Sequence, residues 1–167
     1  MNGLTFDLDG QAIPVEDVLY ALEMMESSGG ENIKPRYEEK FHKGMIKNYR
    51  SKNWIPTPTE KRMIDKYGFD KATEMFSTSY GSYQTLPETI YRYTSFTGEP
   101  TELENKETQL KYVNELLQKF HKQEGGDLKE VIYRWNQGEE FFPKFKEFLK
   151  SDKLTVGKRF FGKKEGQ

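Results

Sequence analysis

The stretch that decides the fold is Pro14-Val15-Glu16-Asp17-Val18-Leu19-Tyr20-Ala21-Leu22-Glu23-Met24-Met25-Glu26, closed by Ser27-Ser28-Gly29-Gly30. At about 100° per residue, Val15, Val18, Leu19, Leu22 and Met25 share one face, the signature of an amphipathic helix. Proline at the opening and Glu16 and Asp17 in the first turn suit a helix N-terminus. Glu26 falls in the middle of the apolar face, close in angle to Leu19 and Leu22, while Glu23 lies nearer its edge. A carboxylate aimed at a core loses hydration, and in the last turn it also meets the negative end of the helix dipole. Both effects favour its neutral form. A general acid working near neutral pH needs that setting. The plain alternative is that the helix ends before Glu26 and leaves it in water.

Upstream, Leu4-Thr5-Phe6-Asp7-Leu8 and Gln11-Ala12-Ile13 flank Asp9-Gly10, which predicts a short β-hairpin. Downstream, helical signals dominate. Helices are expected near 37–49, 60–67, 70–76 and 88–93, with Pro56 and Pro58 breaking the chain between the first two. A longer helix is expected over 105–122, with its stripe at Leu110, Val113, Leu116, Leu117 and Phe120. Gly125-Gly126 ends it. Asp127 then caps a helix carrying Leu128, Val131, Ile132 and Trp135, and a last helix covers 143–150.

The 167 residues fit one domain of ordinary size. Hydrophobic residues make up 34% and charged residues 32%, yet 12 Phe, 10 Tyr and 2 Trp argue against disorder and for a small core of large rings. No apolar run approaches the length of a membrane helix, so no membrane span is expected. No signal peptide is visible at the start. Zero cysteines exclude a disulfide framework and a thiolate zinc site, and His42 and His121 alone make no histidine-rich metal site. No metal or other cofactor is expected. A net charge of −1 excludes a chain that coats nucleic acid over its whole surface, and no nucleic-acid partner is expected. From Lys144 to Gln167 eight Lys/Arg stand against three Asp/Glu. That basic tail is either a solvated end or a point of attraction to an anionic polymer.

Two further clusters carry chemistry. Ser77-Thr78-Ser79-Tyr80-Gly81-Ser82-Tyr83-Gln84 reads as a polar turn. Its Gly81 also allows close backbone approach to a ligand, Ser79 and Gln84 offer hydrogen bonds, and Tyr80 and Tyr83 offer rings for sugars. Tyr133-Arg134-Trp135-Asn136-Gln137-Gly138 is a helix end with a glycine cap, or a site contributing Asn136.

Taken in order, the three clusters resemble a known family. Glu26-Ser27 is similar to the Glu-Ser motif of soluble-type lytic transglycosylases, which share a lysozyme-like fold. Ser79-Tyr80-Gly81-Ser82-Tyr83-Gln84 resembles their Ser-x-Gly-Leu-Met-Gln motif, and Trp135-Asn136-Gln137-Gly138 their Tyr-Asn-Ala-Gly motif. The resemblance spans about 15–138. It implies a mainly α, lysozyme-like helical domain over 1–167 with a short N-terminal hairpin, a helical insertion at 36–76 and a basic tail at 151–167. About fifty residues separate Glu26 from Ser79, a longer interval than the family usually has. Arg36-Tyr37-Glu38 is similar to a stretch carried by phage-encoded members, which implies a phage or prophage origin, with delivery in the virion or release at lysis. Tyr83 stands where the family has Met, and Trp135 where it has Tyr.

The resemblance implies a peptidoglycan lytic transglycosylase cleaving the β-1,4 bond between N-acetylmuramic acid and N-acetylglucosamine, working as a monomer on glycan strands. Glu26 would act first as acid and then as base, giving a 1,6-anhydro product. Ser27, Ser79, Tyr80, Gly81, Tyr83, Gln84, Trp135 and Asn136 would bind substrate or set the site. Glu38 is the candidate second carboxylate. Were it to serve as one, the enzyme would be a goose-type-like hydrolytic muramidase, an endolysin. A third reading is a non-catalytic, glycan-binding virion component.

Overall fold

The computed structural model describes residues 3–151 and 154. They form a mainly helical structure with a short N-terminal hairpin, as the sequence predicts. In chain order the elements are β1 (Thr5–Leu8), β2 (Gln11–Pro14), α1 (Val15–Ser27), β3 (Arg36–Tyr37), α2 (Glu39–Arg50), α3 (Pro58–Tyr67), α4 (Phe69–Phe76), β4 (Thr78–Ser79), α5 (Pro87–Tyr93), a 3₁₀ turn (Pro100–Glu104), α6 (Lys106–Gln123), α7 (Leu128–Trp135) and α8 (Phe141–Leu149).

The chain divides into two compact units. The first joins residues 3–29 to the described residues from Leu117 onward. Here β1 and β2 pair antiparallel, Leu8 opposite Gln11, about an Asp9-Gly10 turn. Both turn residues have positive φ, 51° and 86°, as a type I′ turn requires. The hairpin is anchored by Asp7, whose N–H donates to Gly126 O at 2.8 Å, and by His121, which bonds Thr5 O at 2.8 Å. Helix α1 packs on α8, and the core between these elements holds Phe6, Val18, Leu22, Ile132, Phe145 and Leu149.

Helix α1 begins one residue after Pro14, which is its extended N-cap. It ends where Ser28 turns left-handed (φ 54°) and the Gly29 N–H reaches back to Glu23 O. Its buried face is centred on Val18, Ala21 and Leu22. Leu19 and Met25 are only half-buried. The buried stripe is thus turned away from Leu19, and Glu26 lies on its flank rather than in its middle.

The second unit runs from Gly30 to Leu116. Its core holds Phe76, Ile90, Tyr91, Phe96, Leu103 and Val113. The expected helix from Tyr37 instead starts at Glu39, because Arg36 and Tyr37 are taken by strand pairing: Arg36 sits opposite Ser79 and Tyr37 opposite Thr78. Helix α3 begins two residues earlier than expected. Thr57 and Glu60 form a reciprocal capping box, with Pro58 at the first helical position. Asp127 caps α7 as predicted, accepting from the Glu130 N–H. Most of the basic tail at 151–167 lies outside the described residues.

Candidate functional site

In the first unit, the structure brings two of the sequence-predicted residues together. The indole Nε1–H of Trp135, on the last turn of α7, donates to Glu26 Oε2 at 2.9 Å. The two are 109 positions apart. A Trp N–H is a donor only, so it fixes one carboxyl oxygen and with it the orientation of the Glu26 head. Glu26 is half-buried. Ser27 is buried, and its hydroxyl donates back to Glu23 O at 3.2 Å, closing the last turn that carries Glu26. Asn136 follows Trp135 as the C-cap of α7, in extended conformation. Its Oδ1 accepts from the Gly138 N–H at 2.8 Å, so the amide is held by its own loop.

In the second unit, Ser79, Tyr80, Gly81, Tyr83 and Gln84 form one tight loop. The Tyr80 and Thr85 backbones bridge one another, and Gln84 has a positive φ of 46°. Its Nε2 donates to Gly81 O at 2.8 Å. The loop is built around a residue outside the three sequence clusters. Gln109 on α6 is fully buried; its Nε2 donates to Tyr80 O and Thr85 Oγ1, and its Oε1 accepts from the Tyr83 N–H. A Cβ at Gly81 would stand 2.5 Å from Gln109 Oε1 and 2.6 Å from Leu103 O, and φ there is +76°. Only glycine satisfies both. Gly81 therefore serves the packing of Gln109.

Two expectations change here. Tyr80 and Tyr83 were expected to offer rings to sugars, yet they are only 6% and 4% exposed. Large rings flanking a buried glutamine are better used to shield its hydrogen bonds from water. Burial raises the Tyr80 phenol above its ordinary range. Glu38 was read as part of a helix. It is the N-cap residue of α2, directly after β3, and Ser79 Oγ donates to its Oε1 at 3.2 Å. The Glu38 N–H donates to Ser77 O, so the strand pairing sets this pair.

The same strand carries a second polar chain. Thr73 Oγ1 gives its only proton to Phe69 O, so His42 Nε2 must donate to Thr73. The other ring nitrogen, Nδ1, shares a hydrogen bond of 2.6 Å with the Tyr37 hydroxyl. Deeper in the unit, Glu60 is fully buried. Burial first, then its hydrogen bond to Glu88, pushes its pKa up to about 9. Arg92 pairs with both acids, Nε to Glu88 Oε1 at 2.7 Å and Nη2 to Glu60 Oε1 at 3.2 Å. One proton and one guanidinium thus neutralise two buried carboxyls.

Gln109 was legible. It stands four residues before Val113 and seven before Leu116, on the apolar stripe, the same signal that singles out Glu26. Glu60 likewise precedes Met63, Ile64 and Tyr67 at helical spacing. No family model matches the chain, and no curated protein or solved structure matches it either.

Proposed function

We propose that this protein cleaves the glycan strands of peptidoglycan as a lytic transglycosylase, with Glu26 as its acid and base. The observation that carries the reading is the Trp135–Glu26 hydrogen bond. It joins the first and third motifs and orients a half-buried carboxyl at a helix end. Glu26, protonated, gives its proton to the glycosidic oxygen as the C1–O bond breaks. The substrate's own acetamido group stabilises the resulting cation, so no second protein carboxylate is required. The Glu26 carboxylate then takes the proton of the C6 hydroxyl, and O6 bonds to C1. Ser27 closes the turn behind the acid. Asn136, next in the chain after Trp135 and exposed, offers the substrate its amide nitrogen.

The Ser79–Glu38 hydrogen bond favours one alternative. A carboxylate oriented by a neighbouring motif residue is suited to activating a water, and the enzyme would then be a hydrolytic muramidase. Digesting purified peptidoglycan with wild type, Glu26→Gln and Glu38→Gln tests both readings. The transglycosylase reading expects loss of muropeptide release only with Glu26→Gln. Loss with Glu38→Gln as well supports hydrolysis. Full activity of Glu26→Gln removes this residue from the chemistry.

A further inference from the structure

Helix α2 bears four cations and one acid, and only Met45 among its residues is buried. Lys40, Lys43, Lys47 and Arg50 are all exposed. At about 100° per residue they fall within an arc of about 80°, diametrically opposite Met45. At 1.5 Å per residue they extend over about 15 Å. Lys43 has a partner, Glu39 at 3.0 Å, in a pair exposed on both sides and hence of little energetic weight. Lys40, Lys47 and Arg50 have no ion pair among the described residues. From Lys34 to Lys52, seven Lys/Arg stand against two Glu, in a chain whose net charge is −1. This stretch is thus one of two strongly basic ones in the chain, with the tail from Lys144 onward. Lys43, Lys47 and Arg50, with Ile46 and Ser51, also line a concavity of about 480 Å³.

Helix-end electrostatics explain part of this pattern, since Lys47 and Arg50 suit a helix C-terminus. They do not explain Lys40 and Lys43, which lie in the first half of the helix and on the same stripe. Nor do they produce a concavity walled by three cations.

We infer that this outward face of α2 binds a phosphodiester polyanion, and that its occupant is the polyol-phosphate polymer of a bacterial wall. The aromatic residues of the helix decide against single-stranded nucleic acid and against a lipid surface. Tyr49 packs on Trp54 and Phe69, and Phe41 lines a separate pocket with Met45 and Trp54. Both lie away from the cationic stripe. The stripe thus has no ring to stack on unpaired bases and no apolar face to dip into a lipid interface. It offers charge at regular spacing, which is what a flexible phosphate chain requires. The choice of a wall polymer rests on the glycan-cleaving reading above, whereas the charge geometry does not.

The experiment measures binding of wild type, Lys47→Gln/Arg50→Gln and the four-site Gln variant to duplex DNA and to two wall probes. One is intact phosphate-bearing sacculi, and the other is the same sacculi stripped of phosphate polymer. The expected result is a preference for the intact wall of about tenfold at low salt. It should fall with a log–log slope on the order of −2 to −3 as sodium chloride rises, since up to four phosphates are neutralised. The double variant should lose part of the preference and the four-site variant all of it. Turnover of soluble glycan fragments should stay at the wild-type level in both. Equal binding to the two walls overturns the proposal, as does an unchanged preference in the four-site variant or tighter binding to duplex DNA than to the intact wall. Absence of soluble-glycan turnover by wild type is a separate outcome that overturns only the catalytic reading when the phosphate-dependent preference persists.

Discussion

Glu26 is singled out by its place on a helix, but its partner is chosen by the fold. The periodicity of α1 brings the carboxyl to the edge of the buried stripe, and the structure corrects its position from the middle to the flank. Trp135 stands on the apolar stripe of α7 for packing, and its indole N–H then meets Glu26 Oε2. A hydrogen bond between residues this far apart leaves no trace in local sequence pattern. Two results are expected at this scale. Glu26→Gln should lower muropeptide release by at least about 10²-fold, the usual range for removing a general acid, with an unchanged thermal midpoint. Trp135→Phe keeps the ring and removes the donor. It should lower kcat by about tenfold with KM little changed, since the lost bond to a carboxyl is worth roughly 1.5–3 kcal/mol. An equal loss in KM alone would make Trp135 a substrate contact instead of a positioning group.

The elements show where sequence pattern succeeds and where it stops. Helices α3 to α8 are legible because each carries its own apolar spacing and its own stops. The β3–β4 pairing is not, because two residues at 36–37 meet two at 78–79 and neither pair has a strand pattern. The loop from Ser79 to Gln84 is legible as a turn; Gln109 stands out on the apolar stripe of α6, but nothing local ties it to that loop. Gly81→Ala should destabilise the fold by about 2 kcal/mol or more, from strain at positive φ and the clash with Leu103 O, as measured by urea unfolding. The buried acid pair gives a pH signature. Glu60 keeps its proton in the fold up to about pH 9, whereas in an unfolded chain it ionises near its ordinary 4.5. Its contribution to stability is therefore complete below about pH 4.5 and is lost as pH rises toward 9. Glu88, Arg92 and the Thr57 N–H face it. Glu60→Gln replaces the protonated carboxyl with an amide of the same shape. It should flatten the fall in stability between pH 5 and 9 and match or exceed wild type at pH 8. An unchanged slope would mean that Glu60 ionises normally in the fold.

At the scale of the whole molecule, a polar, aromatic-rich chain folds as two compact units, each with its own core. Their rings are spent on packing more than the sequence suggests, Tyr80 and Tyr83 above all. Among the described residues no helix is long and apolar enough to cross a membrane. The charge is unevenly spread, and residues 34–52 carry a net +5 in a chain of net charge −1. The proposal of a glycan-cleaving enzyme rests on the order of the three motifs and on the joining of Glu26 to Trp135. The claim is tested most directly by the mass of the products released from purified peptidoglycan. Muropeptides ending in 1,6-anhydro-N-acetylmuramic acid are expected, each one water lighter than its hydrolytic counterpart. Products carrying only free reducing ends, or no products at all, would contradict it.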